Sequence, residues 1–335
     1  MQDIQLFLRR AADKGSIKRM MHNIEMVHNE FGQSRILTLA DMLLCMTQGF
    51  GHLDYLTFGF ACTRGQNRKT FMTMQDNISF AKQMNDREYL HVLRNKLCFC
   101  KTYKPFLGRE TIDLADGSET FSAFVQKHPE FFAKAPVSFG GQSVQRVDTR
   151  QYADLKALYS ALVSEGLYLL EECIVQHPLM NELCAACVNT LRVVTVVQTD
   201  GTVQTLYTLL RVGNGNSEVD NISSGGMYTV PSESGEIIYP FFCDKTALYY
   251  ENHPQTGFSF RGFRIPYYED CIALCRQAAL VEPHIRYVGW DVAVTPTGPV
   301  LVEGNNLPGY DMCQNYRFRK DGRGMKAAFQ AVAEK

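Results

Sequence analysis

The stretch from Val288 to Gly309, VGWDVAVTPTGPVLVEGNNLPG, constrains the fold more than any other part of the chain. Gly289-Trp290-Asp291-Val292-Ala293-Val294 alternates toward a buried face, Pro296-Thr297-Gly298 carries turn chemistry, and Pro299-Val300-Leu301-Val302 returns. That pattern predicts a β-hairpin. Asp291 starts the first strand and Glu303 ends the second, so the hairpin lays them side by side although 12 positions separate them. Asn305 follows Glu303 by two and points to the same face of extended chain. Two carboxylates and a carboxamide make an all-oxygen site. It suits a hard cation such as Mg²⁺, which keeps water and phosphate oxygens as its remaining ligands. Gly304, Pro308 and Gly309 shape the backbone around it.

The rest of the composition excludes several classes of function. A chain of 335 residues can bury a large core and fold as one to three domains. Its 45% hydrophobic and 21% charged residues are ordinary for a soluble globular protein, and a net charge of −1 offers no field for nucleic acid or an acidic membrane. No run reaches about 18 uninterrupted apolar residues, so no membrane span is expected. The first residues, MQDIQLFLRRAADKG, lack the pattern of a secretory signal. The 11 cysteines are scattered, and Cys184-Ala-Ala-Cys187 has no second pair at zinc spacing. Reduced thiols packed as small apolar groups, in the cytoplasm, are the expectation.

Residues 1–94 read as helical. Apolar positions from Ile17 to Phe31 recur at helical spacing until Gly32. Thr38 to Asp41 resembles a capping box that opens a helix over Leu39–Gln48. Thr73–Lys82 and Asp86–Arg94 are two further helices, and Arg64, Arg68 and Lys69 read as solvated surface rather than as the lining of a cleft. Beyond, Phe131 to Pro136 and Val144 to Val147 are strands around the Gly140-Gly141 turn, whose bare N–H groups can fold over phosphates with the Lys134 ammonium in reach. No helix follows as in a Walker loop. Thr149–Glu165 is an amphipathic helix with Gly166 at its C-cap. Leu167 to Leu170 is an apolar strand running into Glu171-Glu172-Cys173-Ile174.

Asn189–Gln198 and Val203–Val212 form a hairpin around Asp200-Gly201. Arg192 and Arg211 lie in these apolar strands and need partners, either phosphate groups of a ligand or a structural salt bridge. Gly213–Gly226 is a polar glycine-rich loop of the kind that carries function or acts as a lid, and Asn221 within it is expected to close over a bound ligand. Met227–Val230 and Glu236–Tyr239 read as a hairpin, and Tyr267–Glu282 as a helix.

The pattern D-x(11)-E-x-N followed by N-L-P-G resembles the metal-binding segment of the ATP-grasp superfamily, which includes D-alanine–D-alanine ligases. The motifs VDN-x(3)-GG, HPQTG and GWDVAVTPTGPVLVEGN resemble its sugar-transfer associated, glutamate-ligase-like branch. The resemblance implies an α+β ATP-grasp fold, two subdomains clasping ATP over residues 95–175 and 176–335, after the helical region 1–94. It implies two Mg²⁺ ions held by Asp291, Glu303 and Asn305. It assigns the ATP phosphates to Lys96 and Lys134, the adenine to Glu171, Glu172 and Ile174, and the reacting phosphate to Arg192. A helical start differs from the βαβ domain that opens most such ligases. The activity implied is a carboxylate–amine or carboxylate–thiol ligase acting through an acyl phosphate on a small-molecule substrate and acceptor. A phosphotransferase to a hydroxyl would share these sites, and a non-catalytic nucleotide-binding scaffold is the third reading. No triad or nucleophile elbow is present.

Overall fold

The computed structural model describes residues 14–63, 65–137, 144–215, 225–319 and 321–333. The chain divides into two compact units, one drawn from 1–80, 246–248 and 309–334, the other from 81–245 and 249–308. Among the described residues no helix is long and apolar enough to cross a membrane.

The first unit is helical, as the apolar spacing predicts. Helices span Lys14–Phe31, Arg35–Thr47 and His52–Thr57, and Gly32 stops the first with a left-handed φ of +66°. The second helix starts at Arg35, three residues before the expected capping box, which leaves Thr38 buried inside it. Asp41 is no cap either. It accepts from Arg68 Nη1 at 2.8 Å, Arg68 Nη2 at 2.6 Å and Tyr55 Oη at 2.8 Å. Three donors on one carboxylate outweigh a single helix-start N–H, and they also draw Arg68 off the surface. Its guanidinium lies 5.0 Å from the Phe60 ring centre. Phe58 and Phe71 stack at 4.9 Å beneath it in an aromatic core with Phe50 and Phe60. Buried Gln314 stitches the late segment to this core. Its Oε1 accepts from Met72 N and Met325 N, at 2.8 and 2.9 Å, and its Nε2 donates to Tyr310 O at 3.0 Å.

The second unit holds two antiparallel sheets. One has four strands in the order β1-β4-β2-β3: β1 Thr111–Asp113, β2 Glu130–Lys134, β3 Val144–Asp148 and β4 Leu169–Glu172. Helices Ser118–Lys127 and Leu155–Ser164 cover it through Phe121, Phe124, Leu158 and Leu162. The second helix is shorter than predicted because Asp154 caps it, accepting from Lys156 N and Ala157 N at 2.8 and 3.2 Å. The segment before it is a 3₁₀ turn at Thr149–Gln151. Asp86–Arg94 is likewise mostly turns, with only His91–Arg94 regular.

The larger sheet has seven strands in the order β11-β10-β5-β6-β7-β8-β9. They are β5 Thr190–Val197, β6 Val203–Val212, β7 Met227–Thr229, β8 Phe241–Cys243, β9 Leu248–Tyr250, β10 Tyr287–Thr295 and β11 Gly298–Asn305. β5 is buried along its whole length, which explains its near-continuous run of Val and Leu. Helix Tyr268–Ala279 packs into the same core through Cys271, Cys275 and Ala278. The expected strand Glu236–Tyr239 does not pair with β7; β8 does, through Tyr228 and Phe242. The turn at Ser232–Gly235 forms, yet Ile237 N then donates to Phe263 O, so a later segment takes that backbone.

Trp290 on β10 anchors this core. It is fully buried, donates from Nε1 to Thr195 Oγ1 at 2.9 Å and meets Tyr103 edge-on at 5.2 Å. Trp290→Ala should cost about 3–5 kcal/mol of unfolding free energy, read by urea denaturation of the second unit's signal. A loss below about 1 kcal/mol would show that the core does not rest on this ring.

Candidate active site

β10 and β11 form the predicted hairpin, and their register pairs Asp291 with Glu303 and Gly289 with Asn305. Two glycines make the geometry possible. A Cβ on Gly289 would stand 2.9 Å from two carbons of the Pro308 ring, so glycine lets Pro308 fold back on the strand. A Cβ on Gly304 would stand 2.9 Å from Leu93 and 3.3 Å from the indole of its cross-strand partner, Trp290. The end of the hairpin that carries Asp291, Glu303 and Asn305 is thereby pressed onto the core.

Asp291 lies on the inner side of the pair, 3% exposed. Arg192, its cross-strand neighbour on β5, forms a two-pronged ion pair with it through Nε and through Nη2 at 2.8 Å. Arg211 reaches across from β6 and donates from Nη1 at 2.9 Å. The two arginines expected to meet phosphates are therefore joined to this carboxylate. Burial alone would raise Asp291, but the two guanidinium groups outweigh it and hold the carboxyl far below its usual range. Glu303 opens toward the cleft. Crowding by protein, and then the neighbouring Asp291 charge, push its carboxyl upward. Asn305 Nδ2 donates to Glu303 Oε1 at 3.3 Å.

The facing wall comes from the smaller sheet and the helix Lys96–Thr102. Lys96 opens that helix beside its cap, Asn95, whose side chain accepts from Leu97 N and Cys98 N. Partial burial lowers the Lys96 ammonium; Glu303 opposes the shift, and Lys134 adds to it. Lys134 ends β2 and is ion-paired to Glu171 on β4. Glu171 also receives Arg109 Nη2 at 2.9 Å and the Cys100 thiol at 3.7 Å. Burial would raise Glu171, but Arg109 and Lys134 bring it down to about 2. Arg109 further donates to Leu301 O at 2.6 Å and Val302 O at 3.3 Å, which ties this wall to β11.

Five of the residues singled out in the sequence thus line one cleft: Lys96, Lys134, Glu171, Glu303 and Asn305. Asp291, Arg192 and Arg211 lie against Glu303 as its buried support. Glu172 faces away, accepting from Glu110 N at 2.9 Å, and Ile174 lies in the irregular chain after β4. Gly140, Gly141 and Asn221 lie outside the described residues. Sequence reasoning missed Arg109 and Cys100, which complete the Glu171 cluster. Arg109, a basic residue between Gly108 and Glu110 just before β1, offered only a faint signal. Among the described residues no three His, Cys, Asp or Glu side chains form a metal cluster, so the candidate cation seat is two carboxylates and one amide.

Residues 75–320 match the protein-family profile described as sugar-transfer associated ATP-grasp. The chain belongs to that family. Its fold is the ATP-grasp fold, here with a helical N-terminal region. Similar solved structures include the ATP-grasp ligase PsnB complexed with minimal precursor, 12% identical, covering 75% of this chain and 63% of that one, TM-score 0.45. Another is N5-carboxyaminoimidazole synthetase from Staphylococcus aureus complexed with ADP, 8% identical over 72% and 52%, TM-score 0.44. A third is the D-alanine-D-alanine ligase from Coxiella burnetii, 13% identical over 72% and 57%, TM-score 0.42. The chain therefore spans between about half and 63% of the length of these solved chains. No curated protein sequence matches it.

In this ATP-grasp chain the Glu171 cluster has a stability signature. Its folded carboxyl titrates below the ordinary 4.5, so the stabilisation is fully present above pH 4.5 and is lost as pH falls toward 2. Glu171→Gln should cost about 3–5 kcal/mol at neutral pH, because Lys134 and Arg109 lose their buried counter-charge. Chemical denaturation across that window should show the difference from wild type shrinking with falling pH; a constant difference would mean that the charge is not what stabilises.

Proposed function

We propose that the protein is an ATP-dependent ligase that joins a carboxylate to an amine or thiol through an acyl phosphate. The observation that carries this reading is the meeting in one cleft of Glu303 and Asn305, beside Asp291, with the ammonium groups of Lys96 and Lys134. Membership of an ATP-grasp family supports it.

Electrostatic balance argues that a cation enters this site with a polyanion. When Asp291 and Glu303 are both ionised, their two negative charges balance the two positive charges of Arg192 and Arg211, so the cluster sums to zero. A divalent ion alone would leave that cluster doubly positive, whereas one that enters with phosphates would be neutralised by them. Glu303 and Asn305 line the cleft and would hold Mg²⁺, with Asp291 behind them already engaged by Arg192 and Arg211; the ion would supply charge neutralisation to bound phosphates.

The chain's own groups do the rest. Lys96 and Lys134 take the remaining phosphate charge, and Arg192 and Arg211, locked by Asp291, keep fixed positive charge beside the moving phosphoryl group. The backbone around Ile174 is assigned to the adenine edge, because the Glu171 and Glu172 side chains are engaged elsewhere. A substrate carboxylate attacks the γ-phosphorus and ADP leaves. The second substrate's amine or thiol then attacks the acyl carbon and phosphate leaves. Positioning and charge are enough; no protein nucleophile is required.

ADP release should appear when a carboxylate and an amine are supplied together and not with either alone, and neutral hydroxylamine should trap a hydroxamate. Glu303→Gln should lower turnover at least about 100-fold without unfolding the protein. A phosphorylated product stable to hydroxylamine would contradict the ligase reading and identify a phosphotransferase.

A further inference from the structure

Away from this cleft, the same unit builds a second reactive cluster from the turn Cys184-Ala185-Ala186-Cys187. Ala185 and Ala186 are exposed, while the two cysteines beneath them are buried. The turn is held with unusual care. Buried Gln176 donates from Nε2 to Cys184 O and Cys187 O, each at 3.3 Å. Fully buried Asn189 donates from Nδ2 to Cys184 O at 2.7 Å and accepts from Gly213 N at 3.2 Å. Both sulfurs face Gly213: a Cβ there would overlap the Cys187 sulfur and stand 3.5 Å from the Cys184 sulfur. The two thiols are therefore neighbours, and the Cys187 S–H lies within reach of both the Cys184 sulfur and Asn189 Oδ1, the latter at 3.9 Å.

His253, 1% exposed, closes the cluster. Its Nδ1 accepts from Gln255 N and Thr256 N at 3.2 and 3.1 Å. Those two donors place the ring proton on Nε2, which faces Gly213 O at 3.0 Å and is shared with Cys184. Cys184 is thus ringed by hydrogen-bond donors: the Cys187 thiol, the His253 imidazole and Ala186 N. Such a ring favours the thiolate, the form that reacts, and these bonds, led by the one from Cys187, hold Cys184 well below the ordinary thiol range despite burial. A cysteine serving only as small apolar filling has no use for this arrangement; buried Cys45 has one donor, Arg68 Nη1 at 3.3 Å, and burial still pushes its thiol up to about 11. Burial pushes Cys100 and Cys271 up to about 12.

We propose that Cys184 and Cys187 form a peroxide-reactive dithiol that closes to an intrachain disulfide, with Cys184 as nucleophile and Cys187 as resolving thiol. The Cys184 thiolate attacks one peroxide oxygen, the O–O bond breaks, and hydroxide leaves, giving a sulfenic acid. The Cys187 sulfur then attacks the sulfenic sulfur; the S–O bond breaks and the Cys187 proton leaves with that oxygen as water. The hydroxide takes up the proton that Cys184 lost on ionising. Two thiols are oxidised, one hydrogen peroxide is reduced, and two waters form. A dithiol reductant reverses the disulfide by thiol exchange.

The test uses the full reduced chain, a small excess of hydrogen peroxide, thiol blocking and peptide mapping. A linked Cys184–Cys187 peptide should form at least about tenfold faster than exposed Cys62 oxidises, and dithiothreitol should reverse it. In Cys187→Ser, dimedone should label Cys184. His253→Ala should slow the wild-type reaction, and His253→Gln, which keeps an N–H donor, should restore most of it. The proposal is overturned if Cys184 stays reduced while Cys62 oxidises. It is equally overturned if the disulfide joins other cysteines, or if Cys187→Ser leaves Cys184 unlabelled.

Discussion

A carboxylate buried between two guanidinium groups governs the larger sheet. Asp291 on β10, Arg192 on β5 and Arg211 on β6 come from three neighbouring strands, and each is at most 8% exposed. Charges taken out of water at such depth hold only when they compensate one another with good geometry, and here three directed hydrogen bonds do so. The cluster also pins the register. Sliding β10 by one residue would carry Asp291 to the other face and leave two buried guanidinium groups without a counter-charge. The position of Glu303, the cross-strand partner of Asp291, follows from that register.

The opposite wall repeats the device. Glu171 is buried and fixes one lysine and one arginine, Lys134 and Arg109, as Asp291 fixes its two arginines. On each side an interior carboxylate orients cationic groups at or beside the cleft before any ligand arrives. A cleft with its positive charge already set meets an anionic ligand with little reorganisation, which is the electrostatic requirement for phosphoryl transfer. Arg109 joins the two halves of the arrangement, since the guanidinium that pairs with Glu171 also donates to the backbone of β11.

The hairpin was legible because its information is local: alternation, a Pro-Thr-Gly turn, and acidic residues at strand ends that a two-strand register must bring together. The β5–β6 pair was legible for the same reason, through Asp200-Gly201. The partners of Arg192 and Arg211 were not, because the choice between a phosphate and Asp291 depends on a strand pairing 99 and 80 residues away. Arg109 stayed hidden for a similar reason, its partners Glu171 and Leu301 lying 62 and 192 residues on. Helix boundaries moved where side chains found better uses: Asp154 as a cap, Asp41 as the partner of Arg68.

The most direct measurement is calorimetric titration of the folded protein with Mg-ADP. Saturable heat that requires magnesium, and that is lost in Glu303→Gln with unchanged circular dichroism, is the predicted result. Absence of heat from the folded wild-type chain, or magnesium-dependent binding that survives in Glu303→Gln, would contradict the account.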